Sequence, residues 1–126
     1  NDIGVEAAFV YKRRVSGSKT EAQDISADVA GKLVIIHDDM VRTGGSLIKA
    51  AEAYLKRGAI CVDAILTHCI LPGLSKEKLV KSGALRTLVV TDSHPRAIEL
   101  ADDFLVVNSI AELLAQAVSK GRSELV

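Results

Sequence analysis

Two adjacent carboxylates followed by a glycine pair are the residues of this chain best suited to chemistry. Asp38 and Asp39 follow the apolar run Leu33–Ile36, and the loop Arg42–Ser46 leads directly into a helical pattern. Neighbouring carboxylates at the end of a strand repel each other, so a binding partner is expected to offset that repulsion. Sugar hydroxyls, a metal carried by a ligand, or a basic group would serve.

The loop after these acids has the composition of a phosphate cradle. Gly44 and Gly45 allow a close approach of the backbone to a ligand. The first N–H groups of the following helix lack internal partners and, with the helix dipole, favour an anion. Thr43 and Ser46 add hydroxyl donors, and Arg42 strengthens the positive field. A pentose phosphate fits both halves, with its hydroxyls toward the acids and its phosphate on the helix.

Strands and helices alternate along the chain from Leu33 onward, which predicts how these groups are positioned. The order favours an α/β fold, with a mostly parallel sheet flanked by helices and right-handed crossovers. We expect one domain over residues 1–126. The run Leu33–Ile36 does not alternate, which is typical of a strand covered on both faces. The predicted strands are 7–11, 33–36, 60–67, 87–91 and 104–107. Residues 15–30 are interpreted as a loop or arm, with a return through 21–25 as a strand left open. The predicted helices are 47–57, 76–81 and a final helix after Ser109, with a helical turn at 96–101.

The composition argues against several classes of protein. Sixteen basic and sixteen acidic residues cancel, and only two Tyr, two Phe and no Trp are present. We therefore expect neither an overall positive electrostatic field that attracts nucleic acid nor aromatic side chains on which its bases could stack. The apolar runs are too short to cross a membrane, so the cytoplasm is the default expectation. Cys61 and Cys69 are expected to be buried reduced thiols, and no His, Cys and Asp spacing predicts a metal site made by protein alone.

The segment LVIIHDDMVRTGGS, Leu33–Ser46, resembles the phosphoribosyl-diphosphate signature of the type I phosphoribosyltransferase fold. Within that fold, the stretch Tyr11–Arg14 is similar to the mobile catalytic loop of the ribose-phosphate diphosphokinase family. The later segments Ala50–Ala59, Thr67-His68 and Val90–Pro95 are similar to that family as well.

This resemblance implies transfer of a diphosphoryl group from ATP to the 1-hydroxyl of ribose 5-phosphate, with Mg²⁺ carried by the substrates. It implies that Asp38 and Asp39 hold the ribose hydroxyls and that Thr43–Ser46 binds the 5-phosphate. Lys12 and Arg14 would close over the ATP phosphates as the catalytic residues, since phosphoryl transfer depends mainly on positioning and charge neutralisation. Family members also assemble as homo-oligomers.

Two departures from the family keep other interpretations open. Arg42 occupies a position where the family usually has Asp, and the family's enzyme is more than twice as long as this chain. We therefore interpret the chain as the carboxyl-terminal, phosphoribosyltransferase-like part of such an enzyme. The alternatives are a phosphoribosyltransferase acting on a base, or a non-catalytic homologue that binds phosphates and regulates a partner. His68 is expected to be structural, although it could touch the ligand.

Overall fold

The computed structural model describes residues 4–7, 10–13, 22–25 and 27–124, and these form an α/β architecture. The alternation of strands and helices predicted from Leu33 onward is confirmed. The elements are β1 (Val10–Arg13), β2 (Ala22–Ile25), β3 (Leu33–Val41), α1 (Gly45–Lys56), β4 (Cys61–Cys69), α2 (Ser75–Ser82), β5 (Thr87–Thr91), α3 (Arg96–Leu100), β6 (Leu105–Asn108) and α4 (Ala111–Glu124).

The strands form two sheets of different kinds. β1 and β2 pair as an antiparallel ribbon, and β3, β4, β5 and β6 form a parallel sheet in that order. Because consecutive parallel neighbours are joined by right-handed crossovers, their connecting helices lie on the same face of the sheet. The carboxyl ends of all four parallel strands therefore lie along one edge of the sheet, and α1 begins at this edge because it directly follows β3.

The covered face of the sheet supplies most of the core. Every second residue of β4 is buried there from Val62 through Ala64 to Leu66. The helices add Leu47 from α1 and Leu79 from α2 to the same cluster. This period of two is the expected pattern for a strand with one packed face.

The opposite face of the parallel sheet is open. Leu33 and Ile35 on β3 are 47% and 54% exposed, and Ile65 on β4 is 42% exposed. The prediction that β3 is covered on both faces is therefore wrong for the part of the chain that the structure describes. All the crossover helices lie on one face, so an uninterrupted apolar run here reflects a packed face and an open apolar face.

The last helix is anchored at its start and exposed along its length. Asp92 Oδ1 accepts a hydrogen bond from the Ile110 N–H at 3.0 Å. Hydrogen bonds from Ser109 and from the Ile110 backbone hold the pKa of the Asp92 carboxyl below its usual value. The predicted apolar stripe is present, but Leu113 and Val118 are 67% and 64% exposed.

The two cysteines differ in their surroundings, and both are free thiols. Cys69 is fully buried, as expected, whereas Cys61 is only partly buried. Burial raises the pKa of the Cys69 thiol, and the nearby Arg96 and Lys76 charges oppose that shift.

Candidate functional site

The bend between β3 and α1 is built around Gly44. This residue is the N-cap of α1 and adopts a left-handed conformation, with φ 77° and ψ −6°. Its carbonyl accepts the first helical hydrogen bond, from the Ile48 N–H at 2.9 Å. A Cβ at this position would lie 2.9 Å from the side chain of Leu79, which is fully buried on α2. Both the dihedral angles and the close packing therefore require glycine at position 44.

Gly45, the first residue of α1, is under no such constraint. A Cβ there would meet no atom within 4 Å, and its φ is not positive. The N-cap provides no side-chain hydrogen bond to the first turn, and that turn contains no acidic residue. The leading N–H groups of α1 therefore face open space, which is the arrangement that binds an anion at a helix N-terminus.

A cavity of about 600 Å³ opens beside this helix start. Five of the residues predicted to bind the substrate line it: Asp38, Arg42, Thr43, Gly44 and Ser46. Its remaining wall is apolar and is formed by Ile36, Met40, Val41, Leu47, Ala50 and Leu66. The cavity therefore combines a carboxylate, a guanidinium, two hydroxyls and backbone N–H groups on an apolar floor. A small polar ligand with an anionic end suits such a lining.

The two aspartates lie within β3 and not beyond its end. β3 continues to Val41 because Met40 and Val41 still pair with His68 and Cys69 of β4. The Asp39 N–H donates to Asp38 Oδ1 at 2.9 Å, and both residues are exposed. Successive residues of a strand point to opposite faces, so only Asp38 lines the cavity. Asp39 and Gly45 adjoin the lining residues without being among them.

The predicted catalytic residues are only partly covered by the structure. Lys12 belongs to β1, whose pairing with β2 places Lys12 opposite Gln23. The Lys12 side chain and the whole of Arg14 lie outside the described residues. Their predicted role in closing over ATP phosphates therefore remains a prediction.

Arg42 is left without an ion pair within residues 27–124, unlike three cations that have acidic partners. Arg86 pairs with Asp63, Arg96 with Glu99, and Lys76 with Asp102. Arg42 has no hydrogen bond or ion pair among residues 27–124. An exposed guanidinium at the cavity, next to a helix N-terminus, adds positive charge where an anionic ligand would sit.

A metal ion would find few protein ligands at this site. No group of three or more His, Cys, Asp or Glu residues is arranged to hold a metal within the described ranges. The carboxylates of Asp38 and Asp39 are oxygen donors of the type that Mg²⁺ prefers. A bound Mg²⁺ would therefore take most of its ligands from water and substrate oxygens.

Comparison with known proteins finds relatives that match nearly the whole length of this chain. The chain is 39% identical over 116 residues to a ribose-phosphate pyrophosphokinase of Caldanaerobacter subterraneus, covering 92% of this chain and 36% of that protein. It is 40% identical over 119 residues to the protein of the same name from Agrobacterium fabrum, covering 93% and 38% of the two chains.

A solved structure shows the same fold. The phosphoribosylpyrophosphate synthetase of Mycobacterium smegmatis superposes with a TM-score of 0.79 at 31% identity, over 96% of this chain and 38% of that one. The chain thus spans a little over a third of the length of the curated relatives it matches. The model of the phosphoribosyl synthetase-associated domain matches residues 8–123. This chain therefore belongs to the phosphoribosyl synthetase-associated domain family.

Proposed function

We propose that this chain is the carboxyl-terminal, phosphoribosyltransferase-like part of a ribose-phosphate diphosphokinase. The reaction transfers the diphosphoryl group of ATP to the 1-hydroxyl of ribose 5-phosphate and releases AMP. The observation that carries the proposal is the cavity that joins Asp38 to the open N-terminus of α1. The family and its relatives support this reaction over transfer to a free base.

The 5-phosphate binds at the start of α1. Unpartnered N–H groups, the Thr43 and Ser46 hydroxyls and the Arg42 guanidinium all supply donors to one anion. A phosphate monoester carries close to two negative charges near neutral pH, and the helix end offers only about half a positive charge. Arg42 supplies a further positive charge at the cavity.

The ribose lies against the aspartates. Carboxylates accept hydrogen bonds from hydroxyls, and Asp38 is held near the cavity while its Oδ1 accepts from the Asp39 N–H. Asp39 lies on the other face of β3, so its proposed role as a second hydroxyl acceptor rests on the family resemblance and not on the cavity. With Asp38 it would hold the sugar so that the 1-hydroxyl is presented to ATP.

Two basic residues near the start of the chain supply the charge that acts on the transferring group, and one of them, Lys12, belongs to β1. Lys12 and Arg14 close over the ATP phosphates and stabilise the charge that develops on them. Mg²⁺ enters with ATP and ribose 5-phosphate and neutralises part of the phosphate charge. The remaining length of the enzyme supplies most of the ATP site.

The reaction requires ATP and ribose 5-phosphate as partners. The resemblance to the family adds further copies of the chain in a homo-oligomer. The balanced charge and scarce aromatic residues support a protein that acts without nucleic acid, and the cytoplasm is the location that we propose. Over residues 4–7, 10–13, 22–25 and 27–124, no helix has the length and apolar character needed to cross a bilayer.

The proposal is tested first by binding. Ribose 5-phosphate is titrated calorimetrically into the chain and into Asp38→Asn, with Asp103→Asn as a matched control. Asp103 is an exposed carboxylate in the loop before β6, at the opposite edge of the sheet. We expect Asp38→Asn to weaken binding by about tenfold, because an ionic hydrogen bond is lost. Equal affinities for the two variants would contradict the assignment of the ribose site.

The reaction itself is tested on the complete enzyme. AMP release from ATP is measured with and without ribose 5-phosphate, for the unaltered protein and for Lys12→Ala. Loss of AMP release with retained ribose 5-phosphate binding is the expected result for a residue that acts on the transferring group. Binding without AMP release in the unaltered protein would identify a non-catalytic homologue instead.

A further inference from the structure

A second polar cluster stands at the carboxyl ends of β4 and β5. His68 Nδ1 lies 2.8 Å from Ser93 Oγ, and that hydroxyl lies 3.1 Å from the Thr67 carbonyl oxygen. Thr91 Oγ1 donates to the same carbonyl at 2.7 Å and accepts from the Ser93 N–H at 3.2 Å. Thr67 and Thr91 thus position Ser93, whose hydroxyl orients the imidazole of His68.

The cluster also selects one tautomer of His68. A carbonyl oxygen only accepts hydrogen bonds, so the Ser93 hydroxyl proton is directed to Thr67. Both contacts of Ser93 are satisfied together only when Nδ1 of His68 carries a proton and donates it to Ser93. The other ring nitrogen, Nε2, is then left for solvent or a ligand, and the residue is exposed.

This histidine lies one strand away from the cavity wall and is not itself among the lining residues. His68 pairs in register with Met40, which lines the cavity, and neighbouring strands lie about 4.8 Å apart. α1 packs on both β3 and β4, so its N-terminus lies above the ends of these two strands. His68 is the last polar residue of β4 at that edge.

We propose that His68 is a further phosphate-binding residue of this site, held for that role by Ser93. The inference rests on the proposed sugar-phosphate function. Because Nδ1 donates in both the neutral and the protonated ring, adding a proton at Nε2 breaks no existing hydrogen bond. A phosphate arriving at α1 therefore draws a proton from solvent onto Nε2, and the imidazolium donates it as a charge-assisted hydrogen bond.

Several charged groups lie on the elements around His68. Asp38 and Asp39 belong to the neighbouring strand β3, and Arg42 follows that strand directly. Asp92 is turned toward α4, where it accepts from Ile110. The other charged or titratable side chains on the elements around this edge include His37, Lys49, Cys69, His94, Arg96 and Lys76. Lys76 pairs with Asp102, and Arg96 pairs with Glu99.

The test is calorimetry of the full chain with ribose 5-phosphate in two buffers that differ in ionisation enthalpy. The number of protons taken up on binding is obtained from the difference in observed heat. His68→Asn retains a donor that reaches Ser93 but lacks Nε2. His94→Asn is the control, since His94 Nδ1 accepts a hydrogen bond from the Arg96 N–H at 3.2 Å within the loop that leads into α3.

We expect the unaltered chain to take up a fraction of a proton on binding. His68→Asn should bind about tenfold more weakly and lose this uptake, whereas His94→Asn should retain both. Ser93→Ala should give an intermediate affinity, and its imidazole ¹⁵N shifts should show a mixture of tautomers. Binding with unchanged affinity and proton uptake in His68→Asn would overturn this proposal and leave the sugar-phosphate site standing. Absence of ribose 5-phosphate binding to the unaltered chain would overturn both.

Discussion

The two glycines of the phosphate loop should respond in opposite ways to the same substitution. Gly44→Ala places a methyl group on a backbone with φ 77° and 2.9 Å from the Leu79 side chain. Gly45→Ala places one where no atom lies within 4 Å. We expect the first to damage the fold and the second to damage ligand binding.

The size of the Gly44 effect follows from three contributions. A left-handed conformation costs a non-glycine residue about 1–2 kcal/mol. Overpacking costs a further 1–3 kcal/mol or so, because Leu79 is fully buried and cannot rotate freely. The lower entropy of the unfolded chain returns about 0.4–1 kcal/mol. The net loss in the free energy of unfolding is roughly 3 kcal/mol.

Gly45→Ala introduces neither the left-handed strain nor the overpacking expected at position 44. The same reduction in unfolded-state entropy should stabilise this variant by about 0.4–1 kcal/mol, since alanine is also the better helix former. Its methyl group, however, stands at the first residue of α1, where the phosphate approaches the N–H groups. Affinity for ribose 5-phosphate should therefore fall by about tenfold or more.

Urea denaturation and calorimetry of the two variants separate these effects. Gly44→Ala should lower the urea midpoint by more than about 1 M, and combining it with Leu79→Ala should give a smaller loss than the two single losses added. A Gly44→Ala protein as stable as the unaltered chain would refute the packing argument. Undiminished phosphate affinity in Gly45→Ala would refute the position assigned to the phosphate.

Two further predictions concern stability and the open sheet face. Lys76 and backbone N–H groups hold the pKa of Asp102 below its usual value, so its contribution is present above about pH 4 and is lost as the pH falls through the folded-state pKa. Asp102→Asn should lower the urea midpoint near neutral pH and match the unaltered chain in strong acid; a difference that persists there would contradict the ion pair. Ile35 and Ile65 are exposed on adjacent strands, so Ile35→Lys with Ile65→Lys should reduce self-association of the chain in sedimentation velocity. Unchanged self-association would show that the chains do not associate through this face of the sheet.

The order and type of the elements could be predicted because hydrophobic periodicity reports on packing within each segment. The position at which β3 ends could not be predicted in this way. The last five residues of β3 include His37, Asp38 and Asp39, whose polarity is typical of a loop, although they pair with β4 through Val41. At the carboxyl edge a strand faces a cavity instead of the core, so its polarity reflects the ligand site and gives no sign of where pairing stops.

The relation between His68 and Ser93 shows a second limit. The two residues are 25 positions apart and meet only because β4 and β5 pair in a particular register. Sequence periodicity assigns each residue to a strand end without fixing which strand ends are neighbours. The aspartates and the glycine loop were recognisable because they are local in sequence, whereas a site completed across strands is visible only in the fold.

The glycine pair shows a third limit, because the sequence motif does not distinguish the roles of its two glycines. In the sequence, Gly44 and Gly45 are equivalent signals of a phosphate loop. In the structure, Gly44 is required by its left-handed backbone and by Leu79, while Gly45 has room for a side chain. Backbone geometry and packing together therefore explain Gly44 without any ligand, whereas neither explains the absence of a side chain at position 45. The phosphate that we propose at the start of α1 needs that space, so the Gly45→Ala variant is the more direct test of the proposed site.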